Sequence, residues 1–335
     1  FRGSHNNDPE SLLAWRWAVG SHWTCQNTLQ SDLMAENFGD QGDMWGGWGG
    51  PSTDLMHAFG MIEMERVRPD SVAIKKWEEP KANVAALKDA RCQATLMFPG
   101  FHYDYFWRNK GGFDVLDFYY NKDFNAAATG EFQGPCGCQN VKHLYGNDED
   151  HIAECGTAPA RMAYAFATHI LRLADVYLIN AEANVLGGGD NAYGQKCFDA
   201  VRARAGLPSQ PLSFENVWKE RRLELAGEGD RWYDFVRLSY YRMDDCINEI
   251  KAQYRNNIWG CAKFYGEYYN SGSWASDLLY NGGADMVTYN NEIPVPDVKP
   301  TVFTLPFPSE DVALNPNLAS GVEPVSVNVR ETYVY

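Results

Sequence analysis

The stretch from Arg161 to Leu238 constrains the fold most, because its apolar residues recur at helical spacing and its helix ends are punctuated. Leu171, Ala174, Leu178, Ala181 and Val185 fall three and four residues apart, which places them on one face of an α-helix. The two alanines on that face are small, so a second helix can approach it closely. Gly187, Gly188 and Gly189 end the helix, since glycine readily takes the left-handed conformation of a C-cap. A second helix is predicted over 191–205, with Tyr193, Cys197, Ala200 and Val201 on one side and Gly206 and Pro208 ending it. Ser213 is the expected N-cap of a third, which carries Val217, Trp218, Leu223 and Leu225. Helix pairs of this length read as a tetratricopeptide-type repeat. The expected fold class is therefore mainly α, with such helix pairs and an irregular, loop-rich face with short strands.

Two charge clusters exceed what packing asks for. Glu182 lies within an Ala-Glu-Ala on the first helix, and Glu220-Arg221-Arg222 with Glu224 lies on the third. Two readings are open. One is a solvated surface with pairs four residues apart. The other is an ion network between helices that holds them in register and is not catalytic.

The segments LRLADVYLINAEA, AVRARAGLP and ERRLELAGEGDRWYDFVRL, in that order, resemble the SusD/RagB family. Its pattern runs R-x-AD-x-x-L-x-x-AEA, then R-x-RAGL, then ER-x-x-E-x-x-x-E-G-x-R-x-x-D-x-x-R, then a late proline-rich strip. That strip is similar to Thr304-Leu305-Pro306-Phe307-Pro308 with Asn315-Pro316-Asn317-Leu318, whereas residues 319–335 depart from the family's ending. Earlier, Pro51-Ser52-Thr53-Asp54-Leu55-Met56-His57-Ala58-Phe59 resembles a further family segment, and Arg66 with Arg68-Pro69-Asp70 stands where an Asp-x-Arg follows. The resemblance implies a nutrient-binding lipoprotein of Bacteroidetes, at the extracellular face of the cell outer membrane. It implies a non-catalytic role: capture of nutrient oligomers, chiefly oligosaccharides, and delivery to a SusC-like TonB-dependent outer-membrane transporter. An oligopeptide-binding member of the same family and a helical-repeat protein–protein scaffold are the alternatives. Residues 1–335 are expected to be a single SusD-like domain whose N-terminal portion is missing. Within it, 161–255 would be the helical core and 256–303 a loop-rich insertion. No initiator Met, apolar signal segment or lipidation cysteine is visible near Phe1, so the lipid anchor is expected outside this fragment.

Composition narrows the partners. A formal net charge of −15 argues against nucleic acid, because a phosphate backbone needs clustered Lys and Arg. No apolar run approaches the ~18 residues that span a bilayer as a helix. There is no H-E-x-x-H, G-x-S-x-G or phosphate loop. Cys136 and Cys138 with Cys155 leave a disulfide or free thiols open, and their Cys-x-Cys spacing supports zinc only weakly. Asp148, Glu149, Asp150 and His151 read as a solvated acidic loop or a cation site. No cofactor is expected, with a structural calcium at Asp40-Gln41-Gly42-Asp43 left open. No two carboxylates are marked as a glycosidase pair.

Aromatic content is 14%, with 11 Trp, and many of these rings fall in Gly/Asn-rich stretches. A flat ring there suits a ligand face, and a sugar offers C–H faces to stack on it. The expected ligand contacts are Trp45, Trp48, Tyr103 and Trp107, with Arg108 and Asn109 as polar partners. Trp259, Tyr265, Tyr268, Tyr269 and Trp274 form a further aromatic stretch in a segment of low helical periodicity. A short helix is expected over 52–61, a strand over 94–98 and loop over 131–160.

Overall fold

Polar N-caps, rather than long periodic runs, start the helices of the first half of the chain. The computed structural model describes residues 2–19, 51–68, 71–77, 88–105, 108–126, 128–130, 138–143, 148–158, 164–255, 261–273, 295–319 and 322. A 3-10 turn at Gly3–His5 leads into β1 (Ser11–Trp15). Ser52 caps α1 (Thr53–Ala58), its Oγ accepting from the Leu55 N–H at 3.2 Å, where a short helix was expected. Strands β2 (Ile62–Arg68) and β3 (Ser71–Trp77) pair antiparallel. Asp89 caps α2 (Ala90–Thr95), which runs directly into β4 (Leu96–Met97). The strand expected over 94–98 is thus only two residues long, because its first two residues close a capped helix.

Strand β5 (His102–Tyr103) pairs with β6 (Phe113–Asp114), and Asp114 caps α3 (Val115–Tyr120) by accepting from the Leu116 and Asp117 N–H groups. Strand β7 (Gln139–Asn140) pairs with β4. Residues 148–155, expected as loop, form α4 (Asp148–Cys155). Three acidic residues open this helix, where carboxylates meet the positive end of its dipole. Strand β8 (Thr168–Arg172) pairs antiparallel with β1. There follow α5 (Leu173–Gly187), α6 (Asn191–Arg204), α7 (Phe214–Glu224), α8 (Asp230–Ser239), α9 (Met243–Ala252), α10 (Cys261–Ser271) and α11 (Ser309–Leu314). The fold is mainly α, and among the described residues its strands form only two-stranded ribbons.

The chain divides into two units: Phe1–Trp232 with Ala252–Val295, and Tyr233–Lys251 with Pro296–Tyr335. Of its three crossings, two fall within or at the end of helices α8 and α9, and the third lies in irregular chain between Val295 and Pro296. In the second unit Phe235, Leu238, Cys246, Val298 and Phe303 are buried.

Among the described residues, two clusters build the first unit. Ala174, Leu178, Ala181, Phe198, Val201 and Val217 join α5, α6 and α7, a helix pair with a third helix against it. Leu171, read as part of the first helical face, instead belongs to β8. The apolar face of α6 is also rotated from the expected one. Gly194, Cys197, Phe198 and Val201 are buried, while Tyr193 and Ala200 are exposed. Phe198 is the largest apolar group on the helix and sets the face. Gly194 permits the close approach, since a Cβ there would lie 3.0 Å from Asn184 Cβ. The second cluster gathers Met56, Phe98, Phe101, Phe113, Phe118 and Tyr119 with Tyr265 and Tyr268 of α10. Tyr265 meets Phe98 edge-to-face, with centroids 6.3 Å apart. Part of the stretch expected as loop is therefore a helix that contributes core aromatics. Among the described residues, no helix is long and apolar enough to cross a membrane.

Gly188 ends α5 at φ 66°, and a Cβ there would meet nothing within 4 Å. Replacement by alanine should therefore cost only the left-handed backbone penalty, about 1–2 kcal/mol. Gly187→Ala, one residue earlier and still helical, should be neutral or stabilising. Urea midpoints of the two variants check this, and equal midpoints would contradict it.

Candidate functional site

Glu220, Glu224 and Glu228 recur every fourth residue across α7 and the turn after it, so the two on the helix share a face. Their side chains are almost wholly buried. A buried carboxylate is tolerated only when paired, and all three are. Glu220 accepts from Arg91 and from Arg202, both at 2.7 Å. Glu224 accepts from Arg172 at 2.7 Å, from Arg91 at 3.2 Å and from Arg204. Glu228 accepts from the Arg172 Nε at 2.6 Å and from Lys142. Arg172 and Lys142 also donate to the main-chain carbonyl of Glu224, and Lys142 to that of Ala226 at 2.8 Å. Positive groups thereby satisfy carbonyls at the C-terminal end of α7, where the helix dipole favours them.

Of the two readings open for these charges, the structure adopts the interhelical network. Arg221 donates to Asp175 at 2.6 Å and ties α7 to α5. Glu182 is buried on α5. Arg222 pairs with Asp54, whose other oxygen accepts from the Tyr254 N–H at 2.9 Å. The Asp-x-Arg that joins the network is Asp89-Ala90-Arg91, in which Asp89 accepts from Arg91 Nη2 at 2.7 Å. The side chains of Arg66 and Arg68, and residues Pro69 and Asp70, lie outside the described residues.

Burial pushes the Glu228 carboxyl up, but the Lys142 and Arg172 charges together outweigh it and hold it at about 2. Glu224 is shifted down in the same way, burial being overcome by Arg172 and Arg204. Burial and the neighbouring Lys142 charge drive His143 down to about 3, so its imidazole is neutral. Its ring Nε2 lies 3.3 Å from the Gly227 carbonyl, and its backbone is left-handed at φ 73°.

Members of this network line a cavity of about 400 Å³. Arg91, Ala94, Thr95, Lys142, Arg172 and Glu224 are joined there by His5, Asp8, Glu10, Ser11, His169 and Arg204. His5 Nδ1 lies 3.0 Å from Asp8 Oδ2, and burial shifts His169 down. Sequence reasoning did not find this cavity, because its walls come from residues up to about two hundred positions apart. The four-residue rhythm of the glutamates and the arginines of AVRARAGLP were its only signal.

The residues expected to contact ligand are placed differently. Tyr103 lies on β5 and packs against the larger core, and its hydroxyl sits 3.0 Å from both the Gln93 and the Leu96 carbonyl, which share its one donor. Burial raises this phenol well above its usual range. Arg108 is half-exposed and donates to Asp150 of α4. Asn109 lies in a 3-10 turn over Arg108–Lys110, and its side chain is outside the described residues, as are Trp45, Trp48 and Trp107. Trp259 and Trp274 lie outside them too.

Within the acidic run, Asp150 and His151 have partners in the protein. Besides Asp150, His151 donates from Nδ1 to the Thr157 carbonyl at 2.7 Å and accepts at Nε2 from the Ala165 N–H at 3.1 Å. Among the described residues no group of three or more His, Cys, Asp or Glu is arranged to hold a metal, and Asp40–Asp43 lie outside them. Cys138 and Cys155 are free thiols.

Residues 9–322 match the SusD family. A SusD-like protein of Bacteroides ovatus is 26% identical over 342 aligned residues, covering 98% of this chain and 52% of that protein. One solved structure shares the fold at a TM-score of 0.64 and 23% identity, covering 98% of this chain and 56% of its own. Another, of a protein crystallised with a xylogluco-oligosaccharide, does so at 0.62 and 24%, covering 98% and 57%. The chain thus spans about half the length of the relatives it matches.

Removing Lys142 strands the buried Glu228 beside Arg172 alone. Lys142→Met should cost about 3–5 kcal/mol in urea unfolding, and Lys142→Met with Glu228→Gln less than the sum of the single changes. Acid should destabilise the protein in two steps. His143 is depressed from 6.5, so the unfolded chain takes up its proton first, and stability falls as pH drops from 6.5 towards 3. Glu228 is depressed from 4.5 to about 2, so its contribution is full above 4.5 and is lost between there and 2. Urea midpoints at successive pH values should show both limbs. Glu228→Gln should flatten the lower limb and, because its charge supports the His143 imidazolium, also steepen the upper one, whereas His143→Asn should flatten the upper limb.

Proposed function

The chain belongs to the SusD family, and on that premise we propose that it captures nutrient oligosaccharides at the outer face of the outer membrane. It delivers them to a SusC-like TonB-dependent transporter and performs no chemistry on them. Family membership over 9–322 is the observation that carries this reading. The fold shared with a protein crystallised with a xylogluco-oligosaccharide supports the choice of ligand class. A lipid anchor would hold the protein at the membrane.

Ligand contact is assigned to Trp45, Trp48, Trp107, Arg108 and Asn109, with Tyr103 as the fixed base of that segment. The buried position of the Tyr103 hydroxyl between two carbonyls suits an anchor, and the exposed part of Arg108 suits a hydroxyl-binding partner. Arg108 is already oriented by Asp150, so little side-chain freedom is lost when it binds.

Intrinsic tryptophan fluorescence, titrated with an oligosaccharide panel and with mixed oligopeptides, tests the reading. Saturable quenching by one glycan class, lost in Trp107→Ala or Trp48→Ala, is the expected result. A response to peptides alone would keep capture and replace the ligand class. No response to either would favour a protein–protein scaffold.

A further inference from the structure

The charged network around the cavity is completed by one residue of the N-terminal segment. Ion pairs tie Arg91, Lys142, Arg172, Arg202 and Arg204 to Asp89, Glu220, Glu224 and Glu228. Five cations against four carboxylates leave one positive charge, and Glu10 cancels it. Glu10 stands just before β1 and pairs with Arg172 at 2.8 Å and with Arg204 at 2.5 Å. It differs from the other four carboxylates in exposure. Its side chain is 32% exposed, and theirs are 15% or less. Arg204 is half-exposed too. The backbone of Glu10 is fixed, its carbonyl accepting from the Leu173 N–H at 2.9 Å and its N–H donating to Asp8 Oδ1 at 3.1 Å. Its side chain can therefore turn out to solvent while β1 stays in place. Asp8, the other acidic residue of that segment in the cavity wall, lies against His5.

Arg172 and Arg204 thus already hold one exchangeable carboxylate at the cavity wall. Another carboxylate that reaches them takes its place with the charge balance kept, whereas a neutral group leaves a positive charge uncancelled. Arginine favours such a ligand, because its planar guanidinium presents several N–H donors to the two carboxylate oxygens. The rest of the wall narrows the choice. Ser11, Thr95, His5 and His169 offer hydroxyls and ring nitrogens beside the arginines. An aliphatic acid would leave these groups desolvated and unmatched, and a hydroxylated acid would not. The volume, about 400 Å³, lies within the range of small-ligand pockets. None of the residues assigned above to ligand contact lines it. Glu10 competes from within the chain, at an effective concentration of about millimolar or higher. Wild-type affinity is therefore low, and removal of the competitor raises it.

We propose that the cavity is a site for a hydroxylated carboxylic acid, a sugar acid of the uronate type, whose carboxylate displaces that of Glu10 from Arg172 and Arg204. Glu10 is a built-in competitor that fills the site when no acid is present. The site needs none of Trp45, Trp48 and Trp107, so it stands or falls apart from the capture reading.

The test is calorimetric titration of the whole chain with galacturonate, with galactose as its neutral counterpart and acetate as the bare carboxylate. Glu10→Gln should bind galacturonate about tenfold more tightly than wild type or better, roughly 1.4 kcal/mol. Galactose should bind to neither. Glu10→Gln should also unfold at a lower temperature than wild type, and galacturonate should raise its midpoint by more. Equal galacturonate affinity in the two proteins, or none in either, would overturn the site. Galactose bound as tightly as galacturonate would overturn the charge argument, and acetate bound as tightly would overturn the sugar-acid assignment. Should Glu10→Gln not fold, Ala94→Met decides the matter. Ala94 is exposed on α2 and lines the cavity, so the larger side chain fills it without touching an ion pair. Galacturonate binding should then be lost, and unchanged affinity would rule the cavity out. Galacturonate binding that Trp107→Ala abolishes would put the acid on the tryptophan segment, sinking this proposal and leaving the capture reading intact.

Discussion

Arg172 is the residue on which the first unit turns. It closes β8, precedes α5, and donates to Glu10, Glu224 and Glu228. Its guanidinium thereby ties the N-terminal strand region, the start of the α5–α6 pair and the end of α7 to one point. Burial by itself would disfavour its charge, and the surrounding carboxylates overcome that. Buried ion pairs add little to stability compared with an apolar core of equal volume, yet breaking one is expensive. A network of this kind therefore acts through register. Alternative packings of α7 would leave several charges unpaired at once.

The same network shapes the cavity that it lines. Because its carboxylates and cations are matched, it can border a cavity without leaving an unbalanced charge exposed there. The side chains are held by several bonds each, so their donors and acceptors are in position before anything binds. The apolar clusters have a different task. Phe198 against α5, and Tyr265 and Tyr268 against Phe98 and Phe113, hold the helices and short ribbons that carry these polar groups. Neither set of residues alone would place Ser11, His169 and Arg172 around one volume.

Local signals were legible where a single residue decides a local geometry. Ser213 caps α7 by accepting from the Asn216 N–H, and Gly188 takes the left-handed C-cap of α5. The apolar spacing of Ala174, Leu178 and Ala181 located a real helix–helix face. Misreadings arose where two local signals compete or where the decisive partner is distant. An acidic run reads as solvated loop, but carboxylates also favour a helix start, and 148–155 is helix. Leu171 continues the helical spacing, yet pairing with β1 draws it into a strand. Tyr265 and Tyr268 sit in a Tyr/Asn/Gly-rich stretch that resembles a recognition loop, and only their packing reveals a core helix.

By itself, then, the sequence determined the class of the fold, the ends of its central helices and the family, because caps, apolar spacing and motif order are properties of neighbouring residues. It also marked the glutamates and arginines as unusual without pairing them. Which glutamate holds which arginine, that Asp89-Ala90-Arg91 joins them, that Tyr103 is an anchor, and that a cavity opens beside the β1–β8 ribbon were decided by tertiary structure. Those features depend on residues far apart in the chain that meet only when the helices pack, and no local pattern records such a meeting.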